Sequence, residues 1–456
     1  MTVFPIGPIE MSTRNKWLSP AALLAFAIAC PAPGATRDRN WPAWRGPNAD
    51  GVAHHANPPT KWSESKNVRW KFALPGKGHS TPIIWDSRVF ITVAVPFGEK
   101  KPEVYSKAEG AHDNFPVSQN HKFVVVAIDR VTGKQLWERE VKRELPHEGG
   151  HYTGSLASNS PLTDGKHVYA HFGSRGLHCL TLEGEIVWSK YFGRMDTRHA
   201  HGEGSSPALH GNTLVVNWDH SGFSFVVALD KRDGRELWKA DRDEMTSWST
   251  PLIVSHKGRQ QVIVSATGAV RAYDLETGEV VWKCTGLSRN VVASPVAGDG
   301  MVFVSNSYDW QAMMGIVLDG AKGDITETKN VAWKISRLTP YVPSPLLHDG
   351  TLYFLRHNHN ILSCLDPQTG KDREGPFRLP GLREIFASPV AAKDRVYIPD
   401  RSGVTLVFSH GKDPQPIALN KLDDKFSASP AIVGNELFLR GEKFLYCLAE
   451  EQQNAE

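Results

Sequence analysis

Two groups of histidines carry side chains that transition metals bind. His199 and His201 are separated by one residue and precede Glu203, while His147 stands four positions before His151. Neutral imidazole and carboxylate groups are common ligands of Zn²⁺ and related ions. The first group is therefore a candidate metal site at His199, His201 and Glu203. The spacing is loose, so solvated or hydrogen-bonded loop histidines are the favoured interpretation.

Four arginines recur just before predicted inner strands or in neighbouring loops: Arg289, Arg337, Arg383 and Arg401. A guanidinium stays charged and can form two parallel hydrogen bonds with a carboxylate or a phosphate. The pattern predicts an anionic ligand or an acidic partner surface. Salt bridges between neighbouring repeats are the alternative.

Aromatic residues also lie in loops and links next to the predicted strands: Trp218, Trp248, Tyr308, Trp310 and Tyr341. Such rings stack sugars or other rings, whereas burial against the loops is the structural alternative. No Ser-His-Asp set can be assigned from spacing. The GxSxG motif and the Walker phosphate loop are absent from the sequence.

Repeated strands must position these residues. Residues 205–238, SSPALHGNTLVVNWDHSGFSFVVALDKRDGRELW, predict four short strands separated by turns that contain Gly, Asn or Asp. The Ser-Pro or Ser-x-Pro signature recurs about every 44 residues, with a longer first interval, at Pro82, Pro161, Pro207, Pro251, Pro295, Pro345, Pro389 and Pro430. Alternating side chains in a repeat of this length predict a propeller blade, so eight prolines predict eight blades.

The second half of each repeat has its own signature. It reads AIDRVTGKQLW at 127–137, ALDKRDGRELW at 228–238 and AYDLETGEVVW at 272–282. The Asp side chain is expected to cap the turn, and the Gly supplies a positive φ. The Trp is expected to dock against the next blade.

These registered copies resemble the quinoprotein-type repeat of the PQQ-like β-propellers over about residues 68–449. The resemblance implies an all-β, eight-bladed β-propeller of four-stranded antiparallel blades. Related propellers include quinone-dependent dehydrogenases and a non-catalytic lipoprotein of the outer-membrane β-barrel assembly machine, which this chain resembles. The motif is specific for the fold and not for the function. We cannot match the family's calcium ligands or catalytic Asp residue by residue, so none is carried over.

The two ends of the propeller are expected to meet. NVRWKF at 67–72 matches the closing strand of a blade, whereas the last repeat lacks a Trp strand. We predict that residues 68–72 complete blade 8 and remove exposed sheet edges. The propeller then spans 67–449, and 450–456 form a tail.

The two faces of a propeller differ in loop length. The turns between strands 1 and 2 and between strands 3 and 4 are short and form one end, the turn face. The loops between strands 2 and 3 and the links between blades form the loop face, where binding groups concentrate. An insertion at residues 96–120 emerges there and adds His112 and His121. The candidate ligand-binding residues of this face are His147, His151, Arg175, His199, His201, Trp218, His220, Trp248, Arg289, Asn306, Tyr308, Trp310, Arg337, Arg356, His357, Arg383 and Arg401.

The N-terminus has the features of an export signal, residues 1–35. Arg14 and Lys16 precede an apolar run at 17–30 that is too short to span a bilayer. Cleavage after Ala35 gives a periplasmic protein, and lipoprotein processing at Cys30 is the alternative. Residues 36–66 predict an irregular cap or plug, with a lid over a binding face as the functional alternative.

Composition limits the classes of partner. The formal net charge of +3 over 456 residues, without a basic run, argues against nucleic acid. Cys179, Cys364 and Cys447 occupy small-residue positions in different blades, so we expect unpaired thiols, and Cys284 also. No adjacent Cys pair or haem motif occurs.

Three functions remain from the sequence. The first is an exported scaffold, expected to be monomeric, that binds an envelope protein or polysaccharide through the loop face. Such a scaffold needs no cofactor. The alternatives are a hydrolase or lyase that depends on a metal or on histidine, and a quinone-dependent dehydrogenase that uses PQQ. Enzymatic activity is left undecided by the residues.

Overall fold

Each repeat marked by a Ser-Pro signature forms one antiparallel sheet in the computed structural model, which describes residues 39–411 and 413–450. Eight sheets follow one another around an axis, and the predicted eight-bladed β-propeller is confirmed. The predicted export signal, Cys30 and almost all of the tail lie outside the described residues.

The first four blades each contain the four predicted strands in chain order. Blade 1 contains Ile83–Trp85, Arg88–Phe97, Asn120–Asp129 and Gln135–Glu144. Blade 2 contains Leu162–Thr163, His167–His171, Leu177–Thr181 and Ile186–Lys190. Blade 3 contains Ala208–His210, Thr213–Trp218, Ser224–Asp230 and Glu236–Arg242. Blade 4 contains Leu252–His256, Arg259–Val264, Val270–Asp274 and Val280–Cys284, with Gly323–Asp324 added in parallel.

The other four blades have the same order. Blade 5 contains Val296–Gly298, Met301–Asn306, Ala312–Val317 and Val331–Ile335. Blade 6 contains Leu346–His348, Thr351–Leu355, Ile361–Leu365 and Asp372–Arg378. Blade 7 contains Val390–Ala392, Arg395–Pro399, Val404–Ser409 and Pro416–Lys421, with Val52–Ala53 added in parallel. Blade 8 contains Ala431–Val433, Glu436–Arg440, Phe444–Leu448 and the N-terminal strand Val68–Ala73.

The N-terminal strand joins the two ends of the described propeller. Val68–Ala73 pairs antiparallel with Phe444–Leu448, and Trp70 lies opposite Cys447. This strand extends the predicted one by a single residue. Because it supplies the outer strand of blade 8, the last blade has four strands like the others.

The Asp-Gly-Trp signature connects neighbouring blades. The Asp129 carboxylate accepts the backbone N–H groups of Val131 and Thr132 at 3.1 and 2.7 Å. Gly133 follows with φ of 70°, and a Cβ there would lie 2.6 Å from the Trp70 indole of the preceding blade. The indole also donates to the carbonyl of Arg130 at 2.8 Å. The turn therefore forms the socket in which the neighbouring Trp docks.

The same docking recurs at four further interfaces. The indole N–H groups of Trp137, Trp188, Trp238 and Trp333 donate to the carbonyls of Leu182, Lys231, Leu275 and Pro367, respectively, in a neighbouring blade. Trp282 differs, since it donates to Gln261 within its own blade. Blade 5 has a longer connection, residues 318–330, in place of the short turn.

The Ser-Pro signature forms a second contact between blades, which we call the hydroxyl belt. The backbone N–H of the residue before seven of the eight prolines donates to the hydroxyl of the equivalent residue in the next blade at 2.9–3.1 Å. The belt consists of Thr81, Ser160, Ser206, Thr250, Ser294, Ser344, Ser388 and Ser429. The Thr81 hydroxyl donates to the Ser429 carbonyl at 3.0 Å and closes the circle.

The segment predicted to be a cap crosses the turn face. Backbone hydrogen bonds join Trp41 to Ile84 and Pro42 to Thr163. Val52–Ala53 then pairs with the inner strand of blade 7. These partners belong to first strands near the turn face, so this part of the segment packs at the end of the propeller opposite the loop face.

Arg45 anchors this cap inside the channel. Its guanidinium is buried and donates to the carbonyls of Pro345, Pro389 and Asp50 at 2.7, 3.1 and 2.8 Å. Burial lowers the pKa of Arg45 to about 10, and the Asp50 charge opposes this shift. The backbone carbonyls of two blades thus hold the cap on the axis.

The described cysteines are buried and unpaired: Cys179, Cys284, Cys364 and Cys447. Burial raises the pKa of the Cys284 thiol to about 11, so this thiol is inert as a nucleophile at neutral pH. Within residues 39–411 and 413–450, the structure contains no helix that is both long and apolar enough to traverse a membrane.

Replacing a docking tryptophan tests the contact between blades. Trp238→Ala should lower the free energy of unfolding by about 3–5 kcal/mol, because it empties a packed socket and removes one hydrogen bond. Trp310→Ala is the matched control, since Trp310 is 53% exposed. Urea unfolding followed by circular dichroism measures both. Equal effects of the two substitutions would contradict the docking role.

Candidate functional site

The loop face opens into a cavity of about 430 Å³, which we call the axial cavity. Seven belt residues, all except Thr81, line it, and Trp44 of the cap lies among its lining residues. Aromatic side chains line it from several blades and their links: Trp44, Tyr152, Trp248, Tyr308, Tyr341 and Phe386. The cavity thus combines hydroxyl groups with aromatic surface.

Histidines form one side of the axial cavity. The ring centroids of His112 and His151 each lie 4.8 Å from that of His201. His199 lies beside them, with its centroid 5.1 Å from that of His112. His112 arrives from the blade 1 insertion, where Asn114–Phe115 pairs with Gly150–His151 of the first link.

Burial keeps the central imidazole uncharged. Burial, with a smaller contribution from the neighbouring imidazoles, lowers the pKa of His201 to about 4. Burial also lowers the pKa of His151. At neutral pH both rings are therefore neutral, and the Nε2 atom of His201 is buried without a hydrogen-bond partner in the described chain.

The predicted metal ligands do not converge. The Glu203 carboxylate instead accepts hydrogen bonds from the Ser174 hydroxyl and Arg175 at 2.9 and 2.7 Å. In the described residues, the groups of His, Asp and Glu whose ligand atoms do converge are His147–Glu148–Asp196 and His54–His348–Asp349. The Nε2 atom of His147 is already bonded to the Met195 carbonyl at 3.0 Å.

Several predicted site residues are structural. Trp218 is buried and stacks on Phe225 with centroids 5.9 Å apart. His220 is buried with Nε2 at the Phe223 carbonyl, 3.2 Å away. Asn306 is buried and donates to the carbonyls of Ser288 and Arg289. Arg175 is also buried, between Glu144 and Glu203. These side chains hold the loops in place. Buried backbone N–H and C=O groups need hydrogen-bond partners, and polar loop side chains that point inward supply them.

Three of the predicted arginines pair with carboxylates. Arg289 forms two hydrogen bonds with Asp309 at 2.6 and 2.7 Å. Arg337 bonds Asp372 of blade 6 at 2.5 Å. Arg401 lies 3.8 Å from Glu384 and stacks over Phe386. Arg356 and Arg383 are exposed at the rim.

Eight of the residues singled out from the sequence line the axial cavity: His112, His151, His201, Glu203, Trp248, Tyr308, Tyr341 and His357. Sequence reasoning did not assign Trp44, Glu384 or Phe386 to the site. It also treated the Ser-Pro signature only as a repeat marker. The regular recurrence of a hydroxyl before each proline was the available signal for the belt.

Pyrroloquinoline quinone, which the dehydrogenase alternative requires, does not fit the axial cavity. The molecule carries three carboxylates, and buried carboxylates require cationic partners. Neither Lys nor Arg is among the described residues that line the cavity, whereas Glu203 and Glu384 are. The lining therefore disfavours an anionic group.

Several known proteins are similar to this chain. A family model described as outer membrane protein assembly factor BamB matches residues 98–223 and 222–451. BamB of Yersinia pestis is 22% identical over 338 residues, which cover 70% of this chain and 78% of that protein. Methanol dehydrogenase subunit 1 of Methylobacterium organophilum is 26% identical over 260 residues, covering 49% and 38%.

A solved structure has the same fold. Quinohemoprotein alcohol dehydrogenase from Comamonas testosteroni aligns with a TM-score of 0.61 and 10% sequence identity. The alignment covers 93% of this chain and 82% of that structure. At this identity the similarity establishes the propeller architecture and not the activity.

Buried histidines should make stability depend on pH. Burial lowers the pKa of His171 to about 4, below the roughly 6.5 of an unfolded histidine. Between pH 7 and 5 the unfolded chain takes up a proton that the folded chain does not, so stability falls as pH falls. His171→Phe should reduce this loss by about 2 kcal/mol, as measured by urea unfolding at both pH values. An unchanged pH dependence would contradict the assignment.

Proposed function

This chain belongs to the family described as outer membrane protein assembly factor BamB, and we propose on that premise that it is an exported interaction scaffold. Its loop face binds an envelope protein. Export is supported by Arg14 and Lys16 before the apolar run at 17–30. The proposed location is the periplasm, with Cys30 as the site of an alternative lipid anchor.

Exposed apolar side chains on the loop face are the observation that carries this proposal. Phe223 is 94% exposed at the tip of a blade 3 loop, and Trp310 is 53% exposed on blade 5. Two other large apolar side chains on the same face are also half exposed, Tyr191 and Met245. Aromatic and Met side chains held on a rigid scaffold are typical anchors of protein interfaces.

Two ion pairs neutralise some of the charges on the loop face. Arg289 pairs with Asp309, and Arg194 pairs with Asp196 at 2.8 Å. Paired charges produce a weak long-range field, so we expect apolar anchors rather than charge steering to determine partner affinity.

The two enzymatic alternatives receive less support from the described residues. The similarity to methanol dehydrogenase covers about half of this chain, and the lining of the axial cavity does not fit the quinone. A metal-dependent hydrolase or lyase would need His199, His201 and Glu203 to converge, and Glu203 is engaged with Ser174 and Arg175.

Photo-crosslinking in cells tests the scaffold. A crosslinking amino acid at position 223 or 310 should capture one envelope protein, identified by mass spectrometry. The double variant Phe223→Asp with Trp310→Asp should weaken binding of that purified protein by roughly thirtyfold, which corresponds to about 2 kcal/mol for lost interface anchors.

A matched double variant controls for general effects of the charge. Val280→Asp with Leu136→Asp changes two half-exposed apolar residues at the starts of outer strands, next to the turn face. It should leave the affinity unchanged. Equal weakening by both double variants, or crosslinks from outer strands instead of the loop face, would contradict the proposal.

The mass of the mature protein tests export. Protein isolated from its own envelope fraction should lack residues 1–35 or begin at a lipid-modified Cys30. Intact-protein mass spectrometry distinguishes these two forms. A full-length chain confined to the cytosolic fraction would contradict the proposed location.

A further inference from the structure

The hydroxyl belt leaves hydrogen-bond donors directed at the axial cavity. Each of its seven cavity-lining hydroxyls accepts one backbone N–H, and no hydrogen bond within the described chain takes its own proton. A hydroxyl carries one donor and two acceptor positions. The cavity therefore presents a ring of unused O–H donors to any oxygen-rich ligand.

Other polar atoms around the cavity also lack partners. The Nε2 atoms of His79 and His201 and the Ser427 hydroxyl are buried without hydrogen bonds in the described protein. Buried polar groups are nearly always satisfied by protein, water or ligand. These atoms extend the polar lining beyond the belt and add both acceptors and donors.

Aromatic rings form a continuous strip along another wall of the cavity. The ring centroids of Tyr308 and Tyr341 are 5.7 Å apart, and that of His357 lies 4.7 Å from that of Tyr341. The Trp248 indole is fixed by a hydrogen bond to the Gly202 carbonyl at 2.6 Å. Such surfaces pack against the C–H face of a ring, while the polar lining binds its hydroxyls.

The charge of the lining selects against ions. Glu203 and Glu384 line the cavity, whereas Lys and Arg are absent from its described lining. Arg401 stacks behind the lining on Tyr152 and Phe386 and faces Glu384 at 3.8 Å. Because the lining itself offers anions no cationic side chain, its donors favour neutral oxygen atoms over phosphate or carboxylate. A volume of about 430 Å³ lies within the range of small-molecule sites.

We propose that the axial cavity binds an uncharged sugar, with a hexopyranose ring packed on Tyr308 and its hydroxyls bonded to the hydroxyl belt, His201 and Ser427. This site goes beyond the interaction scaffold, since sugar binding inside the cavity needs none of the exposed anchors on the loop face. The two activities are therefore separable by mutation.

Calorimetry and saturation-transfer NMR on the mature protein test the site. The probes are glucose, N-acetylglucosamine, maltose and cellobiose, with glucose 6-phosphate and glucuronate as charged comparisons. We expect at least one neutral sugar to bind in the millimolar range or tighter, and to bind at least tenfold more tightly than its charged counterpart. The absence of binding by all four neutral sugars, or stronger binding of the charged ones, would overturn the proposal.

Substitutions locate the bound sugar. Tyr308→Ala should weaken its binding at least tenfold, and Ser427→Ala, which alters a single hydroxyl, should weaken it severalfold. Tyr105→Ala is the matched control, because this tyrosine is 57% exposed and lies outside the cavity lining, and it should leave sugar binding unchanged. Unchanged affinity in both cavity variants, each shown by circular dichroism to be folded, would overturn the site. If no partner protein is crosslinked but a neutral sugar still binds, the sugar site is supported and the scaffold is contradicted. If a partner is crosslinked but no neutral sugar binds, the scaffold is supported and the sugar site is overturned.

Discussion

A hydrogen bond from the backbone of one blade to the hydroxyl of the next is the interaction on which the rest of this structure depends. A single four-stranded blade cannot bury both of its faces, so its stability comes from its neighbours. The belt repeats the same short contact around the axis, and the Thr81 hydroxyl closes it on Ser429. Trp docking provides a second, outer contact at most interfaces. Together they set the distance and the register between blades.

The belt has a consequence for binding. A serine that accepts an N–H still holds its own proton, and in this propeller those protons surround the channel. The cap packs at the turn-face end, where Arg45 bonds to the carbonyls of Pro345 and Pro389, and its Trp44 reaches the axial cavity. The residues that hold the blades together therefore also line a polar cavity, whereas the partner-binding anchors stand outside it on loops such as the one that carries Phe223.

Much of the fold could be predicted because its signals are local. The number of Ser-Pro signatures predicted the number of blades. The Asp and Gly of each turn predicted that the Asp side chain would accept the backbone N–H groups of that turn. Because the last repeat lacks a fourth strand, residues 68–72 were predicted to supply it. The candidate site was predicted less well. His151, His201 and Tyr308 do line the cavity, but Trp218, His220 and Asn306 are buried supports. Sequence position placed all of them near the same face, and it could not distinguish a side chain that turns inward from one that faces the channel.

The sequence by itself determined the number of blades, the order of strands and the chemistry available on each face, because strand alternation and turn residues act over a few neighbours. Only the tertiary structure decided which of those groups meet. His112 reaches His201 because Asn114–Phe115 of the insertion pairs with Gly150–His151 of the first link. Glu203 is engaged by Arg175 rather than by a metal site with His199. Such contacts depend on how loops from different blades pack, and packing between distant segments has no periodic signature in the chain.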